Sequence, residues 1–382
     1  MTSTTTRTLF IRSGAGLAAL SMLALAGCGS ANDAATFQTG AGGASEEMSA
    51  TPAPTEEAAA GGESVEPGFV YDDISKNVTS TANLRPENDQ VVVPNGTLTI
   101  NSVQEVSTVK GEDLGLGTVD GGYGAPEGEA LRVVDVSFAP NEEFPDSDAP
   151  TSDLSIEVGG AQEHLYTLDG EQDHRILVSA AEDGTTQLIV SSEGHEQQVD
   201  VLTGERADDD VAAAYYLSTP RQEPHHEFPI ESDRFPTKST TGPDEDVTTA
   251  YSFQVDSATL SAWTAEDGWA EPDQAWLVVD WKYEVTAEHS IISGRIDRFD
   301  AALAIKVGDD VTQDKVHDED KNRHAEGNRS TSVSVPIETT DVTVSVSGGV
   351  VISMSGGSGL QMAGETTGEF ASDELKLSFP QE

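Results

Sequence analysis

Ser107 and Lys110 stand at the spacing S-x-x-K, in which a lysine can take the proton of a nucleophilic serine. The accompanying S-D-N and K-T-G motifs do not occur in the chain, and neither does G-x-S-x-G. In a serine-rich chain the spacing alone carries no expectation of catalysis. His225 and His226 are adjacent but lack a third ligand at a zinc-site spacing. From Asp318 the run DEDKN offers Asp318, Asp320 and Asn322 at positions 1, 3 and 5 of a calcium loop. Arg323 and Arg329 then occupy the places that need glycine and a bidentate glutamate, so the loop fails as an EF-hand. Weak calcium binding of another kind stays open, and no other metal or cofactor is expected.

Recognition chemistry is better represented. All four tryptophans fall in SAWTAEDGWAEPDQAWLVVDW, and Trp263 and Trp269 stand in or beside a loop with Glu266, Asp267 and Glu271. An exposed indole among carboxylates suits a partner that offers apolar and cationic groups, so both are expected to bind a partner. The alternative is that the two rings fold back over the open end of a domain. Asp135 and Asp280 recur inside similar stretches, EALRVVDVSF and QAWLVVDWKY, and Arg175 and Arg329 also recur in matched strands. Two ion pairs are expected from this, Asp135 with Arg175 and Asp280 with Arg329.

The elements that must position these residues are strands. Leu154, Ile156 and Val158 alternate with Ser155 and Glu157, and Val342, Val344 and Val346 alternate with polar neighbours. Gly, Asn, Asp and Pro punctuate these runs as turn formers. The doubling is general. TLTINSV is echoed by SFQVDSA, LSIEVGG by LAIKVGD, TQLIVSSEG by TDVTVSVSG and LSTP by LSFP, all in one order. The chain therefore reads as all-β, with two copies of one domain at 88–222 and 248–382 and a linker at 223–247. In the duplicated strand, Ala130, Arg132, Val134, Val136 and Phe138 line the core, which leaves Asp135 and Asp280 on a more polar face. Two sheets packed face to face bury such strands, and an immunoglobulin-like sandwich is the expected form, with a jelly roll as the alternative.

Ahead of the repeats lie a leader and a tether. Arg7 and Arg12 precede an apolar run, Ala15 to Ala26, that is too short to span a membrane. Residues 1–27 read as a signal peptide. Leu25, Ala26 and Gly27 then meet Cys28, the only cysteine of the chain, and this segment resembles the lipobox of bacterial lipoproteins. The resemblance implies a diacylglyceryl and N-acyl lipid on Cys28 and a place on the outer face of the cell membrane. A lone cysteine also rules out a disulfide within the chain. Residues 28–87, small, acidic and poor in apolar side chains, are expected to be a disordered tether. The tandem repeat is similar to immunoglobulin-like domains of actinobacterial lipoproteins.

Charge narrows the partners. With 20 basic against 68 acidic residues the formal charge is −48, and a chain without clustered cations has no means to hold nucleic acid. The expected function is non-catalytic binding or adhesion to an envelope or secreted protein, from a lipid anchor in the membrane. The alternative is a structural or cation-binding envelope coat.

Overall fold

The structure is a computed structural model. It describes residues 62–382 except 73, 75–77, 79, 85, 87, 88, 141–148, 183, 241, 243, 289–293, 321, 355–359, 365, 381 and 382. The expected signal peptide, with Leu25, Ala26, Gly27 and the expected lipid site Cys28, lies outside the described residues.

The protein is all-β, and its strands form two sandwiches. In the first, one sheet has the order Val70–Tyr71, Gln172–Ala181, Glu129–Pro140, Gly96–Val106 and Ala82–Leu84, with Gln90–Val93 also paired to Gly96–Val106. The facing sheet runs His195–Asp200, Thr186–Ser192, Ser152–Val158 and Ala161–Leu168. Strand alternation builds the core between them, where Leu98, Ile100, Val134, Val136 and Phe138 meet Leu154, Ile156, Leu188 and Val190. Arg132 keeps the same phase and is buried too.

The second sandwich repeats the plan with longer strands. Its first sheet has the order His324–Pro336, Gln274–Glu288, Asp246–Ser261, Arg234–Ser239 and Leu360–Met362. Its second has Asp310–Asp318, Gly294–Val307, Asp341–Met354 and Thr367–Ala371, with Leu375–Ser378 also on Asp341–Met354. Phe253, Trp281, Phe299 and Phe370 fill its centre. Truncating one such ring to alanine costs about 3–5 kcal/mol.

The repeat extends to its irregularities. Gly96–Val106 slips register against Glu129–Pro140 between Ile100 and Ser102, and Asp246–Ser261 slips against Gln274–Glu288 between Val255 and Ser257. Beyond each bulge a serine faces the repeated aspartate, Ser102 opposite Asp135 and Ser257 opposite Asp280.

Three expectations are corrected. The tether was placed at 28–87, yet Val65 and Ile74 are buried against Leu131, Val133 and Leu177, and Val70–Tyr71 and Ala82–Leu84 join the first sheet. The first domain therefore reaches back at least to Glu63. Its thinly spaced apolar residues suffice because they cover a face already made by the sheet. For the same reason the face that carries Asp135 is not polar throughout, since Leu131 and Val133 are fully buried on it. The segment 223–247 is not a free linker either. His226–Glu227 and Arg234–Ser239 pair with Asp246–Ser261, and Phe228 and Phe235 enter the second core.

Candidate functional site

Trp263 and Trp269 face each other across a small hairpin, Trp263–Thr264 with Gly268–Trp269. This hairpin stands where the first repeat has GEDLGLGTVDGGYGAPEG. The Trp263 indole is 6% exposed and its Nε1 donates to Glu193 Oε2 at 2.8 Å. Trp269 Nε1 donates to the carbonyl of Ser192 at 3.0 Å, and its ring lies 4.5 Å from that of His195. Both acceptors belong to the first sandwich, on the tight turn Ser192-Glu193-Gly194-His195. Glu193 and Gly194 take φ of 48° and 79° there, the left-handed pair that such a two-residue turn requires. The indoles thus join the two sandwiches. They are not the exposed rings expected from the sequence: Trp263 is buried, Trp269 is half-buried, and both N–H groups are bonded inside the chain, while Trp263 also lines the cleft described below.

A histidine and a carboxylate clasp the junction. His195 Nε2 lies 2.8 Å from Asp209 Oδ2, and the amides of Val211 and Ala212 donate to Asp209 Oδ1 at 3.0 Å each. Burial pushes the Asp209 carboxyl upward, but the hydrogen bonds and charge of His195 and the two amides outweigh it and hold the group below its usual 3.8.

The expected ion pairs separate. Arg175 Nε sits 2.9 Å from Asp135 Oδ1, and Asp135 Oδ2 also accepts from Ser102 Oγ at 2.7 Å and Gln104 Nε2 at 3.0 Å. Asp280 accepts from Ser257 Oγ at 2.7 Å, but its cross-strand neighbour is Ser330. Arg329 lies opposite Trp281, one residue away, and a one-residue step turns a side chain to the other face. It forms a two-bonded pair with Asp314, at 2.8 and 2.7 Å. The expected pairing of Asp280 with Arg329 is therefore corrected. Burial would raise the Asp314 carboxyl, yet the bonds from Arg329 and Thr331 hold it low.

Against the Trp263 hairpin opens a cleft of about 320 Å³. Its floor is the outer face of the second sandwich's first sheet, with Thr259, Val278, Asp280, Ser330 and Ser332. Trp263, Thr264 and Glu266 form one wall, and Tyr215, Arg221 and Pro94 form the other. Pro94 comes from the first sandwich, so the junction contributes to this wall. Arg221 Nε is 2.9 Å from Glu223. The floor mixes hydroxyls, one aliphatic side chain and a carboxylate, a set that can orient a polar ligand through hydrogen bonds and one charge. The hydroxyls were passed over in the sequence, although their signal is there as alternation: Ser330, Ser332 and Ser334 in RSTSVSV, and Ser257, Thr259 and Ser261 in SATLS.

The remaining sequence candidates lie apart. Ser107 and Lys110 are exposed, and Lys110 Nζ is 3.6 Å from Glu112. His226 packs edge-on against Phe228, and His225 lies 3.9 Å from Asp256. Asp318 accepts from the amide of Asp320 in a local turn. Among the described residues no group of three or more His, Cys, Asp or Glu side chains is placed to hold a metal ion, and no helix is long and apolar enough to cross a membrane. No protein-family model and no curated protein matches the sequence.

Proposed function

We propose that this protein is a lipid-anchored surface protein of a bacterial envelope, held at Cys28, and that its two immunoglobulin-like sandwiches act as one binding arm. The ligand-bearing surface in this reading is the cleft at the junction, and the role is recognition without catalysis. The observation that carries it is the cleft itself: a solvent-open hollow with a mixed polar and apolar lining, to which the first sandwich contributes Pro94, and with Asp280 and Val278 in its floor. Acidic Glu266 at the rim and the formal charge of −48 favour a basic partner over an acidic one.

The mature chain, incubated with an envelope fraction of its own organism, is expected to show saturable association. Val278→Arg, which fills the floor, should abolish that association with an unchanged melting temperature. Association that is unaffected by Val278→Arg would remove the cleft from the account. A second reading, a cation-buffering coat, draws on the same net charge. It requires calcium to raise the melting temperature without any saturable protein partner.

A further inference from the structure

The outer face of the first sheet is built twice, and the two copies are finished differently. In the first sandwich Val70–Tyr71 pairs antiparallel with Gln172–Ala181. The amide of Ser179 donates to the carbonyl of Phe69 at 2.8 Å, and the amide of Ile74 donates to the carbonyl of Arg175 at 3.0 Å. Arg175, Leu177 and Ser179 thus turn their main-chain groups toward this added segment. Their side chains point to the face that carries Asp135, where Arg175 meets the aspartate.

Register carries this geometry into the second sandwich. Ser330, Ser332 and Ser334 stand opposite Asp280, Val278 and Trp276. In the first sandwich Arg175, Leu177 and Ser179 stand opposite Asp135, Val133 and Leu131 in the same way. In an L-chain, strand direction and side-chain face together fix the side to which the amide points. The N–H and C=O groups of Ser330, Ser332 and Ser334 therefore lie at the outer edge of His324–Pro336. Among the described residues no strand pairs with that edge. An unpaired edge of this kind is a template for a further strand. Asp280 also lacks the guanidinium of its twin: among the described residues it is hydrogen-bonded to Ser257 and has no ion-pair partner.

The occupant follows from charge. A second copy offering its own residues 62–72, GESVEPGFVYD, would bring Glu63, Glu66 and Asp72 toward Asp280 and Glu266. Its apolar residues suit Leu131 and Leu177, and the second sandwich has Trp276 and Ser332 in those places. An extended segment with a cationic side chain meets both demands of the site, main-chain pairing at the edge and charge at Asp280.

We propose that the free edge of His324–Pro336 takes an extended segment of a basic partner protein as an added antiparallel strand, two strands from Asp280, whose lysine or arginine extends across Ser330 to supply the charge that Arg175 gives Asp135 from the adjacent strand. This rests on the reading of the cleft as the binding surface. The probe is a short synthetic peptide of alternating threonine and valine with one central lysine, compared with a twin that carries glutamate in its place. Binding to the mature chain is followed by fluorescence anisotropy and by amide exchange. The lysine peptide should bind, the glutamate twin at least about tenfold more weakly, and the amides of Ser330, Ser332 and Ser334 should become protected. Ser332→Pro removes an edge amide that no strand among the described residues uses, together with the hydroxyl that donates to Asp267 Oδ2 at 2.6 Å, so measured against Ser332→Ala, which loses the hydroxyl alone, it should weaken binding about fivefold or more at an equal melting temperature. No binding of the lysine peptide, binding indifferent to Ser332→Pro, or equal affinity for free lysine amide would overturn the added strand. Envelope association separates the two levels. If Val278→Arg abolishes it and Ser332→Pro does not, the cleft stands and the added strand fails, whereas indifference to both removes both.

Discussion

Ser257 donates to Asp280 at 2.7 Å, and Ser102 makes the same bond to Asp135 at the same length, each just past a bulge in the matched strand pair. The bond that the two repeats share is thus serine to aspartate, and the arginine is an addition of the first repeat. Ser257→Ala is expected to cost about 1 kcal/mol, because it leaves a part-buried carboxylate with no side-chain donor among the described residues. Ser102→Ala should cost less, since Asp135 keeps Arg175 and Gln104. Urea titrations of the two variants check the order, and a larger loss for Ser102→Ala would contradict it.

The indoles at the junction carry a separate expectation. Replacing both Trp263 and Trp269 with alanine removes the bonds to Glu193 and Ser192 and opens a cavity beside Tyr215. The melting temperature should fall by several degrees, and calorimetry should resolve two unfolding steps where the parent shows one. An unchanged melting temperature would mean that the sandwiches are not held by these rings.

Acid should loosen the junction at Asp209 and the second sandwich at Asp314. Asp209 and Asp314 both lie below their usual 3.8 when folded. A carboxylate with a depressed folded pKa adds stability that is present above its unfolded value and is lost as pH falls through the folded one. Their contributions are therefore complete above about pH 4 and decline below it. Asp209→Asn and Asp314→Asn should each flatten the loss of stability below that point. An unaltered acid limb in both would contradict these assignments.

The start of the first domain can be tested by truncation. A chain beginning at residue 88 lacks Val65 and Ile74 and bares Leu131, Val133 and Leu177. It should bind a hydrophobic dye and melt lower than a chain beginning at residue 62. Equal stability of the two would restore the shorter domain.

Much of this was legible because strands advertise themselves with a period of two. The alternation at Leu154, Ile156 and Val158 and the echo of EALRVVDVSF in QAWLVVDWKY were enough for two all-β repeats and for the core phase of Val134, Val136 and Phe138. What stayed hidden depended on single-residue register and on partners distant in the chain. Arg175 and Arg329 look equivalent in sequence, yet the ladders place Arg175 opposite Asp135 and Arg329 opposite Trp281. One step of register separates a partner of the repeated aspartate from a partner of Asp314. Val65 and Ile74 sit in a stretch whose composition reads as tether, because a segment that covers a ready-made face needs few apolar residues. The hydroxyl floor of the cleft was overlooked for the opposite reason, since serine alternation looks like an ordinary solvated face.

The most direct test of the account compares two amides that the repeat makes equivalent, Ser179 and Ser334. Ser179 is bonded to Phe69 in the first sandwich, and Ser334 stands in the matching place at the open edge of the second. Site-resolved hydrogen exchange on the free protein should find Ser179 strongly protected and Ser334 exchanging orders of magnitude faster. Equal protection of the two amides would mean that the second edge is already covered, and would contradict the account.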